Sequence, residues 1–312
     1  MRLVFAGTPE AALPSLELLA DRHEIVAVLT RPDAPTGRRR VLTPSPVATR
    51  AGELGLPVLK PAKLDAEFAA TLAALDAELG AIVAYGALLR EPVLSTPRLG
   101  WINLHFSLLP RWRGAAPVQR AVIAGDQATG ASVFQLEAGL DTGPVFGTLE
   151  RPIGANETSG HLLGALAVDG AGLLAHVVDE LASGSAAASP QAGEPTVAAK
   201  LSLADAALDP RESAERVFAR LRGVTPEPGA FLTLADGERL KVLAAAVGWG
   251  ESALEPGRFV LRNRKVLLGT GTEPLELLTV QPSGRKAMDA PSWWRGLPDP
   301  AAVVAVPWGG PS

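Results

Sequence analysis

The chain has 312 residues, 47% of them hydrophobic and 20% charged, the balance of a folded globular protein and not of a disordered one. Its length suggests two domains, and the absence of cysteine excludes disulfides, Fe–S clusters and thiolate metal sites and fits a reducing compartment. The formal net charge is −4, unevenly spread: from Ala206 onward 13 basic residues stand against 12 acidic, and before it 16 against 21, so local clusters must hold any nucleic acid.

In chain order, Arg2–Ala6 is a short apolar run that stops at Gly7. Thr8 suits an N-cap, Pro9 a first helical position and Glu10 the positive start of a helix. Leu13, Leu16 and Leu19 then recur at helical spacing. Glu24–Thr30 predicts a second strand, completing a strand–helix–strand unit with a parallel crossover. The alternation continues with Leu56–Lys60 as strand, Ala62–Leu79 as helix, Ala81–Tyr85 and Trp101–His105 as strands, and Ala115–Ala124 as helix. Wholly apolar strands such as AIVAY predict a sheet covered by helices on both faces. Thr158–Leu181 predicts one long closing helix capped by Thr158. His161, Asp169, His176, Asp179 and Glu180 interrupt its apolar stretch and argue against a membrane span. Met1–Gly7 lacks the basic-then-apolar pattern of a secretory leader, so the expected setting is the cytoplasm.

At Ala182–Thr196 the composition changes to Ala, Ser, Gly and Pro, a linker pattern that continues toward Asp205. Ser213–Leu221 is helical in spacing. Phe231–Leu234 and Arg239–Leu243 flank Asp236-Gly237, a hairpin signal, and Phe259–Leu261, Val266–Leu268 and Leu275–Val280 follow at short intervals. The expected organisation is α/β: a Rossmann-like, mostly parallel domain over 1–182, a linker over 183–205, and a small OB-like β-barrel over 206–312.

The chemistry is concentrated in Gly100–Gly114, GWINLHFSLLPRWRG. On a strand Trp101, Asn103 and His105 share one face, and Ile102, Leu104 and Phe106 take the other. An amide and an imidazole two residues apart, ending an apolar strand, point to a site, because ligands of open α/β sheets sit beyond those ends. A lone histidine is more often a satisfied core residue; Asn103 and the proline-bounded loop that follows weigh against that here. Asp141, within GLDTG at Gly139–Gly143, is by itself a turn former. It gains interest as the carboxylate for a histidine that needs a fixed tautomer. The turn at Gly7 lacks G-x-G-x-x-G, and Pro9 with Glu10 sets bulk and negative charge where a pyrophosphate would lie. That argues against a nicotinamide-dependent oxidoreductase.

These segments resemble the methionyl-tRNA formyltransferase family, within the wider group that uses 10-formyltetrahydrofolate. The matching motifs run in order along the chain: FAGTPE at Phe5–Glu10, TRPDAPTGR at Thr30–Arg38, TPSPV at Thr43–Val47, VAYG at Val83–Gly86, INLHFSLLPRWRGAAPVQ at Ile102–Gln119, GLDTG, AKLS at Ala199–Ser202 and LTVQPSGRKAM at Leu278–Met288. The resemblance implies Asn103, His105 and Asp141 as catalytic residues, acting by direct transfer without an acyl-enzyme. It implies 10-formyltetrahydrofolate as co-substrate, with no metal. Folate contacts are expected from Val83, Ala84, Tyr85, Gly86, Ala87 and Leu88, and from Ser107, Leu108, Leu109 and Pro110.

For initiator methionyl-tRNA the family likeness points to Arg31, Arg38, Arg39 and Arg40 in a Pro/Gly-rich loop, to Lys200, and to Arg285 and Lys286. A charge run is more often a solvated face, although arginine's forked donors suit phosphates. The family also implies a monomer with no membrane partner. Two rivals differ in what they require. A folate-dependent formyltransferase acting on a nucleotide or amino-sugar amine shares the trio but needs neither the C-terminal region nor the arginine loop. A nonenzymatic RNA-binding relative has no need of the trio.

Overall fold

The computed structural model of the protein describes residues 1–36 and 41–310. The chain divides into two units: Met1–Pro117, Thr129–Arg151 and Leu163–Ala198 form the first, and Val118–Ala128, Pro152–Leu162 and Ala199–Ser312 the second. From Met1 to Ala198 the elements run β1 (Arg2–Gly7), α1 (Leu13–Arg22), β2 (Glu24–Leu29), β3 (Ala34–Thr36), β4 (Val41–Thr43), α2 (Pro46–Glu53), β5 (Val58–Leu59), α3 (Ala66–Ala73), β6 (Leu79–Val83), β7 (Trp101–His105), β8 (Arg113–Gly114), α4 (Pro117–Ala124), β9 (Ala128–Gln135), β10 (Val145–Pro152), α5 (Ser159–Ser183) and β11 (Val197–Ala198).

Seven of these strands make one sheet in the order β10-β9-β7-β6-β1-β2-β5. It is parallel from β5 to β7, and β9 adds antiparallel to β7. This is the mostly parallel α/β sheet that the apolar strands predict. The chain winds outward from β1 in both directions, and ligands of such sheets sit beyond the carboxyl ends of the parallel strands, the side on which β6 and β7 end. Gly80 pairs with Trp101 across β6 and β7, and a Cβ at Gly80 would overlap the Trp101 ring. Helix α5 is long and apolar enough, by length and composition, to cross a membrane, yet half of that window is buried within the protein. Its buried residues include Leu166, Leu174 and Val178, and Gly170 sits against Leu104 of β7. The Thr158 hydroxyl accepts from the His161 N–H at 3.4 Å, the expected cap.

Several elements depart from expectation. Thr8 caps no helix: its hydroxyl donates to the Tyr85 carbonyl at 2.8 Å, and a short 3-10 turn at Glu10–Ala12 precedes α1. The helix expected over Ala62–Leu79 is only α3, capped by Asp65, because Leu79 and Gly80 are drawn into β6 between its two neighbours. Helix α2, with Ser45 accepting from the Ala48 N–H at 3.0 Å, and strands β9 and β10 were not anticipated. The small residues of ATGASVFQ in β9 show no clear alternation.

The second unit carries α6 (Leu203–Ala206), α7 (Ala214–Gly223), β12 (Phe231–Leu234), β13 (Arg239–Val247), β14 (Phe259–Arg262), β15 (Lys265–Leu268), β16 (Leu275–Pro282), β17 (Met288–Asp289), α8 (Ala290–Arg295) and β18 (Ala305–Val306). The Asp236-Gly237 hairpin joins β12 to β13 with Thr233 opposite Arg239. The sheet order is β14-β15-β16-β13-β12-β18, with β17 on β16. Its two ends meet at the single bridge Arg258–Val304, beside a 2.8 Å bond from the Ala305 N–H to the Gly257 carbonyl. The small barrel therefore takes the form of an antiparallel sheet whose ends touch, without a continuous closing ladder. Val217, Phe218 and Leu221 of α7 share its core with Val242, Leu277 and Trp293.

Candidate active site

Beyond the carboxyl ends of β6 and β7, residues from 82–90, 103–117 and 136–141 enclose a cavity of about 750 Å3, a volume suited to a ligand of drug size. Asn103 and His105 line it together, as their shared strand face predicts, and Asp141 lines it from the loop after β9. His105 is 6% exposed and Asp141 9%. The three residues come from stretches nearly forty positions apart and meet in one cavity.

The histidine is held on two sides. Its Nε2 lies 2.8 Å from the Trp112 carbonyl oxygen, and its Nδ1 lies 3.8 Å from Asp141 Oδ2. A carbonyl can only accept, so Nε2 carries the hydrogen and the neutral ring keeps its lone pair on Nδ1. At 3.8 Å the Nδ1–carboxylate contact is an ion-pair distance rather than a hydrogen bond. Burial pushes the His105 pKa below its ordinary 6.5, against the opposing pull of Asp141 and the Trp112 carbonyl. Phe134 meets the ring edge-on, with centroids 6.3 Å apart.

Asp141 Oδ2 accepts the Gly114 N–H at 2.7 Å. Among the described residues six non-glycine residues have positive φ; Ala84 and Asp141, at +48° and +51°, line this cavity, and Trp112, at +61°, holds His105 through its carbonyl. Such backbone costs on the order of 1–3 kcal/mol per residue and persists only where the surroundings enforce it. The strain turns the Trp112 carbonyl toward His105 and the Asp141 carboxylate toward Gly114.

Other expected site residues are placed less uniformly. Ala84, Tyr85, Gly86, Ala87 and Leu88 line the cavity, whereas Val83 is buried in the sheet opposite Gly7. Ser107, Leu108, Leu109 and Pro110 are not among the lining residues. They form the turn after β7: the Ser107 hydroxyl donates to the Arg111 carbonyl at 2.6 Å, and Ser132 bridges the Ser107 carbonyl and the Leu109 N–H. Arg31, Lys200, Arg285 and Lys286 are exposed, while Arg38, Arg39 and Arg40 lie outside the described residues. Sequence reasoning missed the Trp112 carbonyl, the Gly114 N–H, and Arg90, Glu137 and Leu140 in the lining. The backbone groups carry no sequence signal, and the side chains stand in loops without periodicity. No group of His, Asp or Glu suited to a metal ion occurs among the described residues.

Residues 1–178 match the formyl transferase family model, and residues 200–298 match that of the formyl transferase C-terminal domain. Over 298 residues the chain is 59% identical to the methionyl-tRNA formyltransferase of Clavibacter sepedonicus, covering 95% of this chain and 97% of that one. The chain belongs to the methionyl-tRNA formyltransferase family. A second family member, from Leifsonia xyli subsp. xyli, is 57% identical over 296 residues, again 95% and 97% of the two chains. Among solved structures, an N-formyltransferase from Helicobacter canadensis in complex with folinic acid and dTDP-3-aminofucose has a TM-score of 0.67 at 15% identity, covering 88% and 98% of the two chains. HypX from Aquifex aeolicus in complex with tetrahydrofolic acid has a TM-score of 0.62 at 14% identity, covering 94% of this chain and 46% of that one. At such identities these likenesses bear on the fold alone. The family matches the one that FAGTPE, RWRGAAP and QPSGRKAM point to in the sequence.

The His105 geometry sets a spectroscopic expectation. In nitrogen-labelled protein, the neutral His105 ring should appear as the Nε2–H tautomer and titrate below pH 6.5. An Nδ1–H tautomer, or a midpoint above 6.5, would contradict the arrangement around Trp112.

Proposed function

We infer that this chain transfers the formyl group of 10-formyltetrahydrofolate to the amino group of methionyl-tRNA. The observation that carries the reading is near-full-length identity to methionyl-tRNA formyltransferases, spanning both family models, together with a cavity that gathers Asn103, His105 and Asp141. The folate co-substrate is assigned to that cavity, with Ala84–Leu88 as one wall. Val83 and Ser107–Pro110 are retained as proposed contributors to its framework.

In the proposed reaction the amine nitrogen attacks the formyl carbon, a C–N bond forms, and the bond to N10 of the folate breaks. Negative charge builds on the formyl oxygen as the carbon becomes tetrahedral. The Asn103 amide donates a hydrogen bond to that oxygen, a contribution of roughly 3–4 kcal/mol for a positioned donor. His105 Nδ1, the ring nitrogen with a lone pair in the neutral tautomer, takes the proton from the attacking amine. Asp141 stabilises the resulting imidazolium, and the proton is delivered to the departing N10, so the enzyme returns to its starting state. General acid–base assistance of this kind is worth about 10²–10⁴-fold. Burial favours the neutral His105 ring at neutral pH, the form this step requires.

The tRNA is assigned to Arg31, Arg38, Arg39 and Arg40, to Lys200, and to Arg285 and Lys286. Arg285 and Lys286 are exposed on the turn between β16 and β17, where the Gln281 side chain donates to the Arg285 carbonyl at 2.9 Å. Residues 1–182 serve in this reading as the catalytic domain, 183–205 as the connection and 206–312 as the tRNA-binding domain of a cytoplasmic monomer.

Labelled formyl transfer to purified methionyl-tRNA tests the assignment; labelling of a sugar nucleotide or purine precursor in its place would reject it. Within that assay Asn103→Ala and His105→Ala should each lower turnover by at least about 10²-fold, with little change in melting temperature. Turnover like the unaltered enzyme's in either variant would remove that residue from the chemistry. Arg38→Ala should weaken tRNA binding and reduce its dependence on salt by about one unit of log–log slope. An unchanged slope would return the arginine loop to a solvated surface.

A further inference from the structure

The segment that reads as a linker in the sequence holds parts of the candidate site. The Ser189 and Val145 backbones bond to each other in both directions, at 2.8 and 2.9 Å. Further along, the Thr196 carbonyl accepts the Arg113 N–H at 2.9 Å, and its hydroxyl oxygen accepts the Trp112 N–H at 2.8 Å. The Ala198 carbonyl accepts the Ala115 N–H at 2.9 Å, close against Gly114, where a Cβ would come within 2.8 Å of the Ala198 oxygen. Residues 189–198 therefore pin the loop that supplies both the acceptor for His105 and the donor for Asp141.

Between these anchors Gln191 is partly buried and uses both ends of its amide. Nε2 donates to the Asp141 carbonyl at 2.8 Å and to the Gly143 carbonyl at 2.9 Å. Oε1 accepts from Arg113 Nε at 3.2 Å and from Nη2 at 2.7 Å. Two carbonyls on one side and a guanidinium on the other leave the amide a single orientation. A closed circuit results: Arg113 fixes Gln191, Gln191 fixes the Asp141 backbone, and Gly114, next to Arg113, fixes the Asp141 carboxylate. Asp141 needs such a hold, because its φ of +51° is one a non-glycine residue rarely adopts unaided.

We propose that Gln191, oriented by Arg113, is a positioning residue that sets the Asp141 carboxylate against His105 for formyl transfer. The proposal rests on the reading of Asn103, His105 and Asp141 as the reacting groups. Gln191 itself is not among the residues that line the cavity, so its effect reaches the chemistry through Asp141. Asp141 is the charged group that acts on the His105 ring, Phe134 on β9 meets the ring edge-on and the Trp112 carbonyl faces Nε2, while Arg90 and Glu137 line the same cavity.

Gln191→Leu and Gln191→Glu in the full chain test this. Leucine removes all four hydrogen bonds, while glutamate keeps the pairing with Arg113 and loses both donors to the loop carbonyls. Both variants should lower kcat by between about tenfold and 10²-fold, the scale of a small misplacement of a reacting group. KM for 10-formyltetrahydrofolate and for methionyl-tRNA should stay within about twofold. In both, the His105 nitrogen resonances should titrate at a midpoint displaced from that of the unaltered protein. A strap that merely anchors through Arg113 would be rescued by glutamate, so a Gln191→Glu enzyme with unaltered kcat and His105 titration overturns the proposal. A rise in KM without loss of kcat overturns it as well. If the leucine variant does not fold, the glutamate variant decides. If the unaltered protein forms no formylmethionyl-tRNA, the functional reading fails, while the displaced His105 titration still decides whether Gln191 sets Asp141.

Discussion

A carbonyl oxygen has no hydrogen to give, and the one on Trp112 stands 2.8 Å from His105 Nε2. That contact decides which ring nitrogen is left for chemistry. With Nε2 committed, Nδ1 is the nitrogen that faces the Asp141 carboxylate across 3.8 Å. The neutral ring, favoured by burial, then presents a base, and a proton taken up at Nδ1 converts the same contact into a favourable ion pair. Reverse the tautomer and the lone pair would face the Trp112 carbonyl oxygen, leaving Nδ1 without a base's electron pair.

Much of the surrounding structure can be understood as maintaining that arrangement. The parallel sheet brings Asn103 and His105 to the end of β7, and Gly80 makes room for the Trp101 ring on the neighbouring strand. Trp112 and Asp141 both adopt left-handed backbone, which loop sequences do not sustain alone. The Arg111 guanidinium lies 5.1 Å from the Trp112 ring centroid, and Thr196 accepts the Trp112 N–H. Strain in the two loops is thus offset by contacts drawn from β8, β11 and the chain between Ser189 and Ala198.

How much of this was legible depended on the kind of signal each part carries. The strand Trp101–His105 was read to the residue, because a period of two separates its polar and apolar faces. The hairpin at Asp236-Gly237 followed from turn chemistry, and α7 from its spacing behind Ser213. Strand β9 escaped notice because ATGASVFQ alternates poorly; Gly130 there lies so close to Leu149 that a Cβ would overlap its carbonyl, a constraint invisible without the partner strand. Asp141 drew interest only as a carboxylate that could serve His105, since an aspartate between glycines otherwise reads as a turn, and its catalytic role came from the family resemblance. The Trp112 carbonyl had no signal at all, being backbone. Gln191 was hidden in a stretch of Ala, Ser, Gly and Pro whose composition speaks of a spacer, although its hydrogen bonds tie it to the site.

The dependence of catalysis on a joined His105–Asp141 unit is open to one direct measurement. A double-mutant cycle would compare kcat/KM for His105→Asn, Asp141→Asn and the two together, with methionyl-tRNA as acceptor. If the pair acts as a unit, the double variant should be about as slow as the slower single one, because either change already dismantles the same device. Losses that multiply would mean that the two side chains act independently, and the proton path proposed between them would not exist.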